Sequence, residues 1–257
     1  MNLSADTLLP GEKLEPLSPT VSVIVSKNHT FNTDTILLAW YSRPRRGEIC
    51  ADFGSGCGTI PLIWCSRSDP ARAYAVELQE DACSMLSRSA ALNGLEQKIQ
   101  VIHQDIKELK SSGSLPLDLD RISCNPPYKP RGTGVFSAEE GARIARHEVA
   151  CDLSDIASAA AGFLRWGGSF FCCMRPERLC ETMSVLSGAG LEPKQIRFVQ
   201  QRKDKVPFLF LLRAARGGKP GMAVEPVLLV ESEQGGWSDE MLKIYGEYKE
   251  NHLCKEN

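Results

Sequence analysis

The fold is decided by a glycine-rich stretch, which reads Ala51-Asp52-Phe53-Gly54-Ser55-Gly56-Cys57-Gly58-Thr59. An apolar run precedes this stretch and a helical pattern follows it, so the chain is predicted to turn here from a strand into a helix. Glycines at 54, 56 and 58 let the backbone turn sharply and approach a ligand closely, because they lack a Cβ. The spacing is neither the G-x-G-x-x-G of nicotinamide and flavin sites nor a P-loop, since no Gly-Lys-Ser/Thr follows. The stretch therefore predicts a ligand-binding turn of another kind.

Short apolar runs and helical patterns alternate on both sides of this turn. Strands are predicted at residues 48–53, 72–77, 98–104, 120–124 and 168–174. A helix over residues 80–93 is expected to end at Gly94, and a second helix over residues 153–164 is expected to stop at Gly167 and Gly168. Residues 195–200 and 207–213 predict an antiparallel hairpin. The pattern indicates an α/β fold, with helices on both faces of a mostly parallel sheet and a C-terminal antiparallel hairpin.

Composition excludes several classes of protein. The chain has 257 residues, a net charge of -2, 24% charged and 42% hydrophobic residues, which excludes disordered, collagen-like and coiled-coil proteins. No apolar run approaches the roughly 18 residues of a membrane span, and the first twenty residues lack the basic start and apolar core of a signal peptide. The ten cysteines show no C-x-x-C spacing and the four histidines are few, so no metal is expected and the cysteines are interpreted as buried residues of a reducing, cytoplasmic protein. Three regions are predicted: an N-terminal extension and lid (1–45), a catalytic domain (46–230) and an acidic tail (231–257).

Polar side chains follow the predicted strands at one edge of the sheet. Glu77 ends the strand after the glycine turn, and Asp105 follows the next one. Parallel sheets bind ligands at the carboxyl ends of their strands, so Asp52, Glu77, Asp105 and Asn125 are expected to converge on one crevice. Glu77 is placed to accept hydrogen bonds from ribose hydroxyls, and Asp105 from an adenine amine. The sequence therefore predicts a cofactor that contains a nucleoside.

A second motif, Asn125-Pro126-Pro127-Tyr128, directly follows the fourth strand. Two prolines fix φ and remove two backbone donors, so the carbonyl of Pro126 and the side chain of Asn125 are held out as acceptors. Methylation of a planar amine requires such a pair, because gripping both N–H groups aims the nitrogen lone pair at an electrophile. Tyr128 offers a flat face on which a base extruded from its strand could stack.

In this order the two motifs resemble the class I S-adenosylmethionine-dependent methyltransferases that modify exocyclic amines. Three further strings make the resemblance narrower: residues 29–38 (HTFNTDTILL), residues 145–148 (ARHE), and Arg197-Phe198-Val199 followed by residues 217–221 (GGKPG). With these strings the chain resembles the bacterial tRNA1(Val) adenine-N6-methyltransferase family from about residue 20 to about residue 230.

The resemblance implies a Rossmann-like sheet of seven strands and methylation of the adenosine 3′ of the anticodon in one tRNA. It also implies S-adenosylmethionine as cofactor and S-adenosylhomocysteine as product. Asp52, Gly54, Gly56 and Gly58 would surround the methionine part of the cofactor, Glu77 its ribose and Asp105 its adenine, with Asn125 at the same site. Residues 125–128 would hold the target base.

Several residues outside these motifs are expected to bind the tRNA substrate. Phe31 lies just before an amphipathic stretch, residues 35–41, and this part of the chain is predicted to cover the crevice. The other candidates are cations for phosphate contacts: Arg146, His147, Arg202, Lys203 and Lys205. A basic surface loop is predicted at Arg43, Arg45 and Arg46, and the protein is expected to be a monomer.

Other substrates remain open from the residues alone. A protein glutamine-N5 methyltransferase is one alternative, because the lone pair of an amide nitrogen is delocalised like that of a base amine and needs the same two acceptors. Only about 45 residues precede the first sheet strand, however, which is too few for the extra helical domain that such enzymes usually carry. Guanine N2 of ribosomal RNA and adenine N6 of DNA are further alternatives. A binding protein that keeps the fold without chemistry is the alternative from a different class.

Overall fold

The computed structural model describes residues 8–126 and 151–246. The strands are β1 (Glu12–Pro16), β2 (Ser22–Ser26), β3 (Ile49–Phe53), β4 (Arg72–Glu77), β5 (Ile99–His103), β6 (Leu119–Cys124), β7 (Leu164–Met174), β8 (Leu191–Gln200), β9 (Leu209–Arg216), β10 (Ala223–Val224) and β11 (Leu228–Leu229). The helices are α1 (Thr33–Tyr41), α2 (Thr59–Arg67), α3 (Glu80–Leu92), α4 (Leu109–Ser112), α5 (Leu153–Phe163), α6 (Leu179–Gly188) and α7 (Asp239–Tyr245). Short 3₁₀ turns lie at Ile106–Glu108 and Pro176–Arg178.

The central sheet has the order β5-β4-β3-β6-β7-β9-β8, and the two-residue strands β10 and β11 pair with the outer side of β8. Strand β9 runs antiparallel to both its neighbours, whereas the pairs among β3 to β7 are parallel. The reversed strand is possible because β8 and β9 form a hairpin, which needs no crossover helix. The predicted mostly parallel sheet with a C-terminal antiparallel hairpin is confirmed.

Helices cover both faces of the sheet, as the apolar strands require. Successive residues of a strand point to opposite faces, so Phe170 packs in one core and Phe171 in the other. Helices α1, α2, α3 and α7 contribute to the core that contains Phe171. Helices α5 and α6 contribute to the core that contains Phe170.

The predicted end of the helix at Gly167 and Gly168 is wrong. Helix α5 ends at Phe163, and β7 begins at once, because Leu164 has φ -66° and ψ 141°. Gly167, at φ +76°, lies inside β7, where the pairing with β6 shifts from Leu164 to Ser169. The glycines therefore accommodate a bulge in a strand rather than stop a helix. The other glycine stop is confirmed, since α3 ends at Leu92 and Gly94 has φ +65°.

Residues before the sheet form an antiparallel hairpin, β1 and β2, that packs on α3. The buried hydroxyl of Ser89 accepts from the backbone N–H of Ile24 at 2.9 Å, and Arg88 forms two bonds of 2.6 Å with Glu12. These contacts hold the hairpin against α3. The predicted boundary between residues 45 and 46 stays a prediction.

Part of the predicted acidic tail packs into the fold. Met241, Ile244 and Tyr245 of α7 are buried in the core. Glu240 accepts two bonds of 2.6 and 2.7 Å from Arg197, a guanidinium that is almost fully buried. Helix α7 thus packs against α1 and is bonded to β8 through Arg197. The predicted boundary at residue 231 stays a prediction.

The cysteines follow the expected pattern of burial. Seven of the nine that the structure describes are buried and none of these nine is in a disulfide. Across residues 8–126 and 151–246, no helix has both the length and the apolar character needed to cross a membrane.

Candidate active site

Three strand ends lie level with one another at the carboxyl edge of the sheet. In the register, Phe53 at the end of β3 pairs with Cys124 of β6 on one side and with Val76 of β4 on the other. The next residues along the three strands are therefore Gly54, Asn125 and Glu77. Neighbouring strands lie about 4.8 Å apart, so the sheet brings the glycine turn between the two predicted polar groups.

The glycine turn bends back over the end of β4. The N–H groups of Gly54 and Ser55 both donate to the carbonyl of Val76, at 2.9 and 3.0 Å. Gly54, Gly56 and Gly58 all have positive φ, at +72°, +54° and +91°. A Cβ at Gly54 or Gly56 would meet nothing within 4 Å, whereas one at Gly58 would lie 2.4 Å from Cγ of Leu86. Gly58 is therefore required for packing, while the other two glycines leave open space over the turn.

Glu77 is the anchor of this edge. Its side chain is only 4% exposed, yet it accepts from the N–H of Gly56 at 2.8 Å and from those of Leu78 and Gln79 at 2.8 and 2.9 Å. The carboxylate thus fixes the glycine turn as well as the start of α3. Its ribose-binding role stays a prediction.

Asp52 lies beneath the turn, almost completely buried. Its carboxylate accepts from Ser123 at 2.5 Å and from Ser55 at 2.9 Å. Burial raises the pKa of Asp52 to about 7, against the lowering effect of the two hydroxyls. Its predicted contact with the methionine part of a cofactor stays a prediction, and in this structure both oxygens are engaged by serines.

The raised pKa of Asp52 predicts a pH dependence of stability. Its pKa in the unfolded chain is near 3.8 and in the fold about 7, so between these values only the unfolded state ionises. The free energy of unfolding that this group contributes is therefore present below about pH 4 and is lost as pH rises to about 7. Asp52→Asn removes the ionisation, and the variant is expected to gain stability relative to wild type across this window, by up to about 4 kcal/mol. Urea unfolding of both proteins at several pH values measures the difference, and a difference that does not change with pH would contradict the prediction.

Asp105 follows β5 and begins the 3₁₀ turn at Ile106–Glu108. One carboxylate oxygen accepts from the N–H of Lys107 at 2.9 Å, and the other lies 3.6 Å from the Lys107 ammonium. The side chain is about one-fifth exposed. It caps the turn and remains partly exposed at the end of β5, so its adenine-binding role stays a prediction.

Asn125 is held by contacts that the sequence did not predict. Its side-chain N–H donates to Oγ1 of Thr35 at 3.2 Å, and the thiol of Cys173 donates to its Oδ1 at 3.1 Å. The Thr35 hydroxyl donates in turn to Oδ1 of Asn32, the N-cap of α1, at 3.1 Å. The chain Asn125–Thr35–Asn32 orients the amide and assigns its oxygen and nitrogen. Pro126, which follows, is buried.

Further polar groups from α1 and β7 reach the same edge. Arg175, directly after β7, lies 3.7 Å from the buried carboxylate of Asp34 and donates to the carbonyl of Phe208 at 2.9 Å. Phe31, a predicted substrate contact, is half-buried against the core beside α1. Arg175 was missed because a lone arginine after a strand forms no sequence motif, although its position after β7 was a usable signal.

The predicted phosphate contacts lie on the link between β8 and β9, which is also at the carboxyl edge. Arg202 lies 3.5 Å from Asp204 and 3.7 Å from Glu231. Lys203 pairs with Glu233, and Lys205 lies 3.9 Å from Asp204. Each of these cations is at least half exposed, so the pairs are weak and can exchange for phosphate.

Four predicted site residues lie outside the described residues: Pro127, Tyr128, Arg146 and His147. Among the residues the structure does describe, no cluster of three or more histidine, cysteine or acidic side chains could hold a metal ion.

S-adenosylmethionine fits the donor and acceptor set of this edge. Open space lies over Gly54 and Gly56, and the Glu77 carboxylate is held level with them. Asp105 stands partly exposed beyond the next strand. A nucleoside with ribose hydroxyls and an adenine amine matches two successive carboxylates at strand ends.

Comparison with known proteins gives one family and several relatives. Residues 29–116 match the family described as a precorrin methyltransferase domain. The tRNA1(Val) (adenine(37)-N6)-methyltransferase of Tolumonas auensis is 25% identical over 217 residues, which cover 84% of this chain and 88% of that protein. The protein of the same name from Aeromonas hydrophila is 28% identical over 215 residues, covering 82% and 86% of the two chains.

Solved structures agree in fold. A predicted O-methyltransferase of Agrobacterium tumefaciens superposes with a TM-score of 0.67 at 17% identity, covering 83% of this chain and 95% of that one. Geranyl diphosphate C-methyltransferase of Streptomyces coelicolor, in complex with Mg²⁺, geranyl diphosphate and S-adenosyl-L-homocysteine, superposes with a TM-score of 0.51 at 14% identity, covering 70% and 76%.

By its sheet order, its glycine turn and these neighbours, the chain has the fold of the class I Rossmann-like methyltransferases. The predicted fold class is therefore confirmed. Within that class, the relatives at 25–28% identity confirm the narrower resemblance to the tRNA1(Val) adenine-N6-methyltransferases.

Proposed function

We propose that the protein transfers a methyl group from S-adenosylmethionine to the exocyclic N6 amine of an adenosine in tRNA, at the position directly 3′ of the anticodon. The observation that carries the proposal is the placement of Asn125, an oriented amide one strand away from the glycine turn. The relatives named as tRNA1(Val) adenine-N6-methyltransferases favour adenosine in tRNA over protein glutamine, ribosomal guanine and DNA adenine. Asn125 could hold the amine of each of these other substrates in the same way, but the relatives reported above are named for adenosine in tRNA.

The chemistry of this site is positioning. When bound, S-adenosylmethionine supplies an electrophilic methyl group. Asn125 Oδ1 accepts one N–H of the target amine, and the carbonyl of Pro126 accepts the other, which turns the nitrogen lone pair out of conjugation. The orientation of Asn125 is set by Thr35 and Cys173. Alignment of this kind can supply much of the rate enhancement, and the methylated nitrogen loses its proton to water without a strong base.

The test of this function compares possible methyl acceptors directly. Purified protein is incubated with S-adenosylmethionine labelled on the methyl group and, separately, with unmodified total tRNA, ribosomal RNA, duplex DNA or a cell protein extract. We expect label on tRNA that digests to N6-methyladenosine. Label on protein or ribosomal RNA with unlabelled tRNA would retain the fold and cofactor but overturn the proposed substrate.

The cations on the link between β8 and β9 give a further prediction. Lys203→Gln is expected to weaken tRNA binding and to reduce the slope of log K against log salt by about one charge, since one released counterion is lost. Glu233→Gln removes the acid that pairs with Lys203 and is expected to strengthen binding slightly, as the opposite change of charge at the same place. Filter binding between 50 and 200 mM salt measures both slopes. Equal slopes for wild type and both variants would exclude this link from the tRNA interface.

A further inference from the structure

A pocket of about 490 Å³ opens at the other edge of the sheet, where the parallel strands begin. Its walls come from the last turn of α1, the loop before β3, the first residues of β6 and β7, and the facing residues of β8 and β9. The glycine turn and Asn125 lie at the opposite ends of β3 and β6. The pocket is therefore separate from the candidate active site.

Positive charge predominates in this pocket. Five arginines line it: Arg43, Arg45, Arg121, Arg165 and Arg213. Three acids line it too: Glu48, Asp120 and Glu225. Arg121 forms an ion pair with Glu48, and Arg165 pairs with Asp120 at 2.7 Å. These two pairs neutralise two of the five arginines.

Among the residues that the structure describes, the side chain of Arg213 bonds to neutral side chains alone. It donates to Oε1 of Gln195 and, at 3.3 Å, to the hydroxyl of Ser169. Glu225, the remaining acid, accepts from the amide of Gln195 at 2.9 Å instead. Across residues 8–126 and 151–246, neither Arg213 nor Arg45 nor Arg43 forms a salt bridge with a side chain. Burial is the largest cause of the lowered pKa of Arg213, and the charges of Arg121 and Arg45 lower it further, whereas the charge of Glu225 acts in the opposite direction.

Tyr41 adds a donor that lacks an acceptor. Its hydroxyl is buried beside the pocket and has no hydrogen-bond partner in the part of the chain that the structure describes. Burial raises the pKa of Tyr41, so the hydroxyl keeps its proton at neutral pH. A buried hydroxyl without a partner destabilises the fold, because its lost bonds to water are not replaced. An acceptor oxygen in the pocket would remove that cost.

We propose that this pocket binds a phosphoryl oxyanion, carried by a free polyphosphate or by an RNA backbone, through Arg213 and Arg45 with the hydroxyl of Tyr41 as an additional donor. Guanidinium groups match the geometry of phosphate oxygens, and charge-assisted bonds to them are among the strongest in proteins. The volume admits more than a single phosphate group. This site stands apart from the proposed methyl transfer, because its ligand is recognised by charge at the opposite edge of the sheet.

Titration calorimetry with inorganic pyrophosphate at constant ionic strength tests the site. We expect wild type to bind, and Arg213→Gln and Arg45→Gln each to lose about tenfold in affinity, the equivalent of about 1.4 kcal/mol. Arg46→Gln is the matched control, since Arg46 is the next exposed arginine along the chain and lies outside the pocket, paired with Asp69. Pyrophosphate binding that is absent, or that Arg46→Gln weakens as much as Arg45→Gln, would overturn the proposal.

Tyr41→Phe separates a ligand-binding role from a merely structural one. The variant removes a hydroxyl without a partner, so its unfolding temperature without ligand should be equal to or above that of wild type, while its affinity for pyrophosphate falls. A lower unfolding temperature with unchanged affinity would remove Tyr41 from the site.

A fluorescently labelled uridine 12-mer, which offers no adenine, distinguishes the two sources of the phosphoryl group. The anisotropy of the labelled RNA should rise when wild type or Arg46→Gln is added. A clearly smaller rise with Arg45→Gln and Arg213→Gln would support an RNA backbone as ligand. Arginine-dependent binding of pyrophosphate without such an effect on the 12-mer would support a free polyphosphate. Neither result depends on methyl transfer, so failure of the proposed function would leave this test intact.

Discussion

Asn125→Ala is expected to lower the rate constant of methyl transfer by about a hundredfold to a thousandfold, the range seen when one oriented hydrogen-bonding group is removed from an active site. The affinity for S-adenosylhomocysteine should fall far less, because the Glu77 carboxylate on β4 and the glycine turn after β3 keep their own hydrogen bonds in this variant. The substitution leaves the Thr35 hydroxyl bonded to Asn32, so the N-terminus of α1 should stay in place. Single-turnover kinetics and calorimetry with S-adenosylhomocysteine measure the two effects separately.

Graded variants show whether the orientation of this amide matters. Asn125→Asp keeps an acceptor oxygen and is expected to retain more activity than Asn125→Ala. Thr35→Val removes the oxygen that accepts from Asn125 at 3.2 Å but touches no reacting atom, so kcat should fall by roughly tenfold with a nearly unchanged KM. If Asn125→Ala transfers methyl groups at the wild-type rate, the proposed grip on the amine is wrong.

The fold could be predicted largely because its signals are local. The glycine turn and the strands around it can each be recognised from a few consecutive residues, and β4 has the predicted bounds. Gly167 misled the prediction because a glycine marks a bulge as readily as a helix end. Helix α7 was overlooked inside an acidic composition, although Ser238 is an N-cap and Met241, Ile244 and Tyr245 share one buried face.

The arrangement of the site could be predicted only in part. Strand ends in a parallel sheet converge by topology, which placed Glu77 and Asn125 correctly at one edge. The partners Thr35 and Cys173 lie 90 and 48 positions from Asn125, and no local pattern reports a contact over that distance. The pocket at the opposite edge unites arginines from the loop before β3 and from β6, β7 and β9, each of which looks like an ordinary surface residue in sequence.

Gly58→Ala is expected to lower the free energy of unfolding by about 3 kcal/mol, through strain at positive φ and overpacking. Gly58 has φ +91°, and an added Cβ would lie 2.4 Å from Cγ of Leu86, which is fully buried. Gly56→Ala is the matched control. It also has positive φ, at +54°, but its Cβ would meet no atom within 4 Å, so its cost should stay near 1 kcal/mol.

For cofactor affinity the order of the two variants should be reversed, with Gly56→Ala losing more than Gly58→Ala. The Cβ added by Gly56→Ala occupies the open space over the turn, so affinity for S-adenosylhomocysteine should fall in a protein that unfolds at nearly the wild-type denaturant concentration. Leu86→Ala removes Cγ and Cδ1, the two atoms that lie nearest the Cβ added by Gly58→Ala. The double variant should therefore be more stable than the sum of the two single losses predicts, by about 1–2 kcal/mol. Strict additivity in chemical unfolding would show that strain of the backbone alone, and not contact with Leu86, makes Gly58 necessary.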